Sequence, residues 1–133
     1  MKALFTALII LSAHFVHGQN TAKALALNEA GSAIMQLMDR YPEFNTRQNF
    51  HAALGYLEEA LIADPEHPDV IQNIGNCYYK WTLTLAKRQQ TEGLNDAQFN
   101  ENHTAMETYT QRSMYFLQKH RALTGEDVPA TDD

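Results

Sequence analysis

The stretch Tyr56–Trp81, which reads YLEEALIADPEHPDVIQNIGNCYYKW, contains the strongest structural signal in the chain. Its first half has the spacing of an amphipathic helix, and Pro65 ends that helix because proline cannot continue the helical hydrogen bonding. A second helix begins almost at once, with Pro68 in its first turn, where the missing N–H costs little. Gly75 stands inside this second helix, although glycine is unfavourable in a helix interior. The sharp turn and the interior glycine together indicate two helices that pack at close range.

The rest of the chain also has apolar residues at helical spacing, and it contains no alternating β-branched runs that would predict strands. Pro42 and Gly93 interrupt the helical pattern, as expected for connecting segments. The sequence therefore predicts an all-α fold with four helices. The predicted helices cover about Thr21–Asp39, Thr46–Ala63, Pro68 to Gln89 or Gln90, and Asn95 to the residue before Gly125.

The N-terminal residues 1–18 have the layout of a secretory signal peptide. Lys2 precedes an apolar run over residues 3–16, and Gly18 places a small residue at the cleavage position. The apolar run is shorter than the roughly 20 residues that a membrane-spanning helix needs, so cleavage is favoured over a permanent anchor. We therefore expect an exported protein, either periplasmic or secreted.

Cleavage would leave a helical domain over residues 19–124 and an acidic segment, residues 125–133, which is expected to be disordered because it is short and charged. The whole chain has a formal net charge of −6 at pH 7, and it has no extended run of Lys and Arg. Phosphate backbones and anionic lipid surfaces attract clusters of these cations. The sequence therefore predicts no nucleic-acid partner and, after cleavage, no membrane partner.

Few residues offer catalytic or metal-binding chemistry. The single cysteine, Cys77, lies in a helical pattern and is expected to be a small buried side chain rather than a nucleophile. His103 and Glu107 are four residues apart on the fourth predicted helix, where a solvated pair is favoured over a metal site of three or four ligands. The sequence has no Gly-rich phosphate loop, no Gly-x-Ser-x-Gly and no His-Glu-x-x-His motif. We therefore predict no catalytic residue, no metal and no cofactor.

Two motifs in the middle of the chain have a recognisable order and spacing. They read Ala53-x-x-x-Leu57-x-x-Ala60 and, after Pro65, Ile71-x-x-Ile74-Gly75-x-x-Tyr78. Together they resemble the tetratricopeptide repeat, in which pairs of helices stack on further pairs. The resemblance implies antiparallel helical hairpins in a right-handed stack of about four helices. The last pair is longer than a repeat, which leaves a four-helix bundle with an extended last pair as the alternative arrangement.

A fainter copy of the pattern flanks this region. Leu27-x-x-Ala30-Gly31-x-x-Ile34 has the frame of the motif around Gly75, and the two glycines are 44 residues apart. The family period is about 34 residues, so the excess fits an insertion near Pro42. In the later pair, Ala105-x-x-x-Tyr109 is expected to stand for the start of the second helix.

The resemblance also implies a function, because family members use the first helices of their repeats to line a concave groove for a protein or a peptide. The implied class is a non-catalytic protein–protein interaction module. By position, the partner-binding residues would be Asn28, Ser32, Gln72, Asn76, Tyr79 and Lys80.

Two further expectations concern the long helices. The alternative function is a small helical ligand carrier or enzyme, with polar groups such as His103, Tyr79 or Tyr109 converging on a pocket between them. Near Met114 and Tyr115, the fourth helix is also apolar over more than half of its circumference. This breadth predicts an exposed apolar patch and a homo-oligomer that forms through the fourth helix.

The export prediction has a direct test in N-terminal sequencing of the protein isolated from its host. We expect the mature chain to begin at Gln19 or within a residue or two of it. A product that begins at Met1 and sediments with the membranes would contradict the prediction.

Overall fold

In a computed structural model of the protein, the backbone is described for residues 2–126 and the side chains for residues 20–126. The side chains of the predicted signal peptide, residues 1–18, lie outside this description, as do residues 127–133 of the predicted disordered segment. Both therefore stay predictions. Among the described residues, none of the helices combines the length and the apolar character that crossing a membrane requires.

The described chain is all-α, as predicted, with four α-helices, one short 3-10 helix and no strand among residues 2–126. The elements are α1 (Lys2–Arg40), the 3-10 helix (Pro42–Phe44), α2 (Arg47–Ala63), α3 (Pro68–Thr91) and α4 (Asp96–Thr124). Three of the four helices match their predicted bounds to within a few residues. The first begins earlier than the predicted Thr21, since no proline interrupts the sequence before Pro42.

The helix ends follow from local chemistry. The Thr46 hydroxyl caps α2 by accepting a hydrogen bond from the backbone N–H of Asn49 at 3.2 Å. Asn95 and Gln98 form a reciprocal capping box at the start of α4, with bonds of 2.9 and 3.1 Å. Gly125 follows α4 in a left-handed conformation, φ 70°, which ends the helix without steric cost. These ends were predictable because each depends on a few neighbouring residues.

The helices associate mainly in two pairs, α1 with α2 and α3 with α4, and both α1 and α2 also contact α3. In the first pair, the backbones approach closely at Gly31. A Cβ atom at that position would lie 2.7 Å from Cγ of Leu57 and 3.0 Å from the carbonyl oxygen of Ala53. Glycine is therefore the residue that lets Leu57 fill the space between the two helices.

The second pair has the same kind of contact at Gly75. A Cβ atom there would lie 2.8 Å from both Cγ and Cδ2 of Leu117, and the Ser113 hydroxyl donates a hydrogen bond to the Gly75 carbonyl oxygen at 2.9 Å. The close approach of Gly75 to another helix, expected from the sequence, is thus confirmed. Its partner is α4.

These contacts correct the predicted alignment of α4. Gly75 meets Ser113 and Leu117, and the stretch Ser113-x-x-x-Leu117-x-x-His120 has the spacing of Ala53-x-x-x-Leu57-x-x-Ala60 in α2. Ser113 and His120 are also the buried residues of α4. The prediction that Ala105-x-x-x-Tyr109 takes this role is therefore wrong by eight positions, because α4 is longer than α2 and its added turns precede the contact.

An aromatic cluster joins the two pairs. Phe50 of α2 is fully buried, stacks on Trp81 with ring centroids 5.0 Å apart, and meets Tyr109 of α4 edge-on at 5.3 Å. Tyr78 stacks on Tyr109 and on Phe116 at 5.7 and 6.3 Å. Such aromatic pairs each add about 0.5–1.5 kcal/mol beyond area burial, so this cluster is a main link between α2 and the α3–α4 pair.

The Gly75 contact can be tested with a matched pair of variants. Gly75→Leu forces a side chain into space that Leu117 occupies, and we expect a loss of about 1–3 kcal/mol in the free energy of unfolding. Gly55→Leu is the control, because a Cβ atom at Gly55 has no neighbour within 4 Å. Chemical denaturation measures both, and an unchanged stability of the Gly75 variant would contradict the contact.

Candidate functional site

The predicted partner-binding residues of α1 lie where α1 meets α3. The amide of Asn73 donates hydrogen bonds to Oδ1 of Asn28 at 2.9 Å and to Oγ of Ser32 at 3.0 Å. Asn28 and Ser32 are half-buried as a result. Part of their hydrogen-bonding capacity therefore holds the two helices together, a role that the sequence prediction did not assign to them.

A shallow open groove runs beside this contact, and we call it the α1–α3 groove. It has a volume of about 170 Å³ and is lined by Ser32, Met35, Gln36, Asn73, Asn76 and Lys80. Lys80 of this lining also forms an ion pair with Asp39 of α1. Three of the six predicted residues, Ser32, Asn76 and Lys80, are thus brought together, with hydroxyl, amide and ammonium groups along one surface.

The other predicted residues of α3 lie outside the groove lining. Gln72 is exposed, and the side chain of Tyr79 is 52 % exposed. Tyr79 is therefore not a core residue, unlike Tyr78 and Trp81 on the same helix. Gln72 and Tyr79 are on the same helix as Asn76, but neither of them lines the groove.

The sequence reasoning missed Gln36, which lines the groove, and Asp39, which is the ion-pair partner of Lys80. Gln36 and Asp39 come one and two turns after Ser32 on α1, a spacing that could have placed them on the same face. The role of Asn73 in linking α1 and α3 was missed because it depends on partners 41 and 45 residues away in sequence. No local signal marks such an amide as the link between two helices.

Cys77 lies beneath this surface and is buried, as predicted. It borders a small cavity of about 40 Å³ together with Met35 and Lys80. Burial disfavours the charged thiolate and raises the pKa of Cys77 to about 12, although the nearby Lys80 charge acts in the opposite direction. The thiol is therefore protonated at neutral pH, which suits a packing role and not a nucleophilic one.

A second cavity, the α3–α4 cleft, has a volume of about 270 Å³. Its floor is apolar and aromatic, from Trp81, Leu85 and Tyr109, and its remaining lining residues are Arg47, Arg88, Glu92, Leu94, Gln98, Glu101, Asn102 and Ala105. The cleft lies between the start of α2, the last turns of α3 and the added turns of α4.

The polar groups that the carrier alternative required do not converge here. Of the three residues expected to do so, only Tyr109 lines the cleft. His103 is exposed and lies 3.5 Å from Glu107, which confirms the solvated pair expected on α4. On the rim of the cleft, Arg88 is paired with Glu92 at 3.2 Å, so one of the two lining cations is already neutralised within the chain.

Tyr78 is a further buried polar group next to the aromatic cluster. Burial raises the pKa of its phenol, and a hydrogen bond from Nη1 of Arg112 at 3.3 Å acts in the opposite direction. Arg112 also lies over the Tyr78 ring, 5.7 Å from its centroid. This contact holds α4 against α3, and neither Tyr78 nor Arg112 lines the α1–α3 groove or the α3–α4 cleft.

Comparisons with known proteins add nothing to this geometry. No protein-family model matches the chain, and searches among curated proteins and solved structures found no match for it.

Proposed function

We propose that this protein is a non-catalytic protein–protein interaction module that acts outside the cytoplasm and binds a protein or peptide along the α1–α3 groove. The observation that carries the proposal is the groove itself, where Ser32, Asn76 and Lys80 line one open surface between neighbouring helices. Open grooves between packed helices suit extended partners, whereas small molecules are usually held in enclosed pockets.

The architecture in this proposal is a tetratricopeptide-like right-handed stack of two antiparallel hairpins. In an antiparallel pair, later residues of one helix contact earlier residues of the other. The first pair follows this order, because Thr21 donates a hydrogen bond to Asp64 at 3.2 Å, whereas Gly31, which comes later in α1, contacts Leu57, which comes before Asp64 in the chain. The second pair follows the same order, since Gly75 meets Leu117 and the later Leu85 accepts a hydrogen bond from the earlier Asn102 at 3.0 Å.

The repeated glycine–leucine contact is a second support for a repeat architecture. Each pair places a glycine of its first helix against a leucine of its second helix, and each leucine follows a small residue by four positions. In such a stack, the first helices of the pairs lie side by side and form one surface. Here the first helices are α1 and α3, and the α1–α3 groove lies between them.

The groove chemistry indicates what kind of partner would bind. The amides of Gln36 and Asn76 can each donate and accept hydrogen bonds, as can the hydroxyl of Ser32. The charge of Lys80 is balanced by Asp39. A partner would therefore be recognised mainly by hydrogen bonds to its peptide groups, and net charge would contribute less to the choice.

A small-molecule carrier is the second candidate, and the α3–α4 cleft is the observation that favours it. Its volume of about 270 Å³ is just below the range of roughly 300–1,000 Å³ for ligand pockets. Its apolar floor and polar rim would suit a small amphipathic molecule. We rank it second because the residues expected to converge on such a ligand are dispersed.

The interaction proposal can be tested by capture from the extracytoplasmic fraction of the host. Asn76→Arg places a long cation in the α1–α3 groove, and we expect at least a roughly tenfold loss of the captured partner because the new side chain fills the binding surface. Gln48→Arg makes the same kind of chemical change at an exposed position of α2 and serves as the matched control.

Two outcomes would contradict the interaction proposal. One is equal capture by the wild type and the Asn76 variant. The other is a small molecule that copurifies with both proteins and is lost from Ala105→Trp, which narrows the α3–α4 cleft. The second result would favour the carrier.

A further inference from the structure

The end of the molecule formed by α3 and α4 has an unusual apolar surface. The side chains of Tyr79, Leu83 and Met114 are 52 %, 51 % and 55 % exposed. Tyr79 and Leu83 are one turn apart on α3. Met114 follows Ser113, which bonds to Gly75, and lies on the side of α4 away from the aromatic cluster. We call this surface the end face.

The internal repeat allows the end face to be compared with the matching surface of the α1–α2 pair. The matching glycines, Gly31 and Gly75, align Met35 with Tyr79, and the matching leucines, Leu57 and Leu117, align Leu54 with Met114. This correspondence defines the positions to compare. Tyr79 and Met114 of the end face thus have counterparts in α1 and α2.

The counterparts are buried. Met35 and Leu54 are each only 7 % exposed and belong to the core cluster that includes Ile74 and Cys77 of α3. In the first pair, a helix therefore covers the positions that remain open in the second pair. Among the described residues, no element covers Tyr79 and Met114 in the same way.

The polar part of the end face repeats the pattern too. Asn28, which accepts a hydrogen bond from Asn73, corresponds by position to Gln72. In the first pair, the covering helix α3 thus presents an amide next to apolar residues. A helix that covers the end face would be expected to present amide and apolar groups in the same way.

We propose that a second copy of this chain covers the end face in a two-fold dimer. Its own α3 presents an amide at Gln72 and apolar groups at Tyr79 and Leu83. A second copy therefore brings a helix of the same chemical type as the one that covers the counterpart surface. In a two-fold contact the same patch meets itself, so the patch must be self-complementary.

The charge of the surface supports this occupant. None of the four residues Gln72, Tyr79, Leu83 and Met114 is charged, although the chain has a net charge of −6. Amides can donate and accept, so identical amides can pair across a two-fold axis. Tyr and Met are also enriched in protein interfaces. Two acidic molecules can therefore meet at this patch without placing like charges in contact.

The proposed surface differs in part from the one that the sequence predicted for oligomerisation. Met114 and Tyr115 are both exposed, as expected. As neighbours in a helix, however, they point about 100° apart, and Tyr115 packs edge-on against Phe116 with centroids 5.1 Å apart. The end face therefore combines Met114 with α3 and leaves Tyr115 outside.

Sedimentation equilibrium of the purified protein, in the form that the host produces, tests the proposal. We expect the wild type to reach twice its monomer mass at high micromolar concentration. Leu83→Glu and Met114→Glu should each raise the dimer dissociation constant by about tenfold or more, because each places two like charges at the two-fold contact. Ile62→Glu, at an exposed position of α2, is the matched control and should leave the dimer intact.

Three outcomes would overturn the proposal. The first is a wild type that stays monomeric at high micromolar concentration. The second is a dimer that both glutamate variants retain. The third is a monomer that purifies in complex with a different protein and releases it in the Met114→Glu variant, which would make that protein the occupant of the end face. Thermal melts of the variants verify that they are folded.

The result is separable from the groove proposal. Neither Leu83 nor Met114 lines the α1–α3 groove, so the two glutamate variants should capture a groove partner as well as the wild type does. Likewise, loss of capture in the Asn76→Arg variant of a protein that never dimerises would support the groove alone.

Discussion

The structure depends on two positions where a missing side chain lets two helices approach. Gly31 faces Leu57 and Gly75 faces Leu117, with so little space that a Cβ atom at either glycine would lie within 3 Å of the leucine. Glycine in a helix interior costs roughly 0.5–1 kcal/mol relative to alanine. The cost is offset because the close approach leaves Leu57 fully buried and Leu117 half-buried. The two contacts set the spacing and the register of the two helix pairs.

The α1–α3 groove and the end face both follow from that register. With α1 and α3 side by side, Asn73 reaches Asn28 and Ser32, and the groove forms next to this contact. Because α4 is held against α3 at Gly75, Met114 of α4 lies on the same side of the α3–α4 pair as Tyr79. Both surfaces are thus products of one packing scheme that occurs twice. The α3–α4 cleft arises where α4 extends beyond the repeated part.

The sequence predicted the helices well and their mutual register less well. The ends at Thr46, Asn95 and Gly125 were predictable, since capping depends on adjacent residues. Gly75 was predictable as a close contact, because a glycine inside a helix weakens that helix and is typical of a close approach by a neighbouring backbone. The alignment of Leu117 with Gly75 was not predictable, because it depends on the position of the longer α4 along the axis of α3.

The candidate site was half predicted for a similar reason. Ser32, Asn76 and Lys80 meet in the groove because their positions on α1 and α3 follow from helical spacing. Asn73 links the two helices through partners that are 41 and 45 residues away in sequence, so no local pattern identified this role.

Double-mutant cycles at the two glycine–leucine contacts test this account most directly. Gly75→Ala should destabilise the wild type, and it should cost less when Leu117→Ala has removed the side chain that it meets. The account predicts a compensating coupling of about 1 kcal/mol or more in the free energy of unfolding, and the same for Gly31→Ala with Leu57→Ala. Additive effects in either cycle would contradict the claim that one packing scheme, used twice, builds this protein.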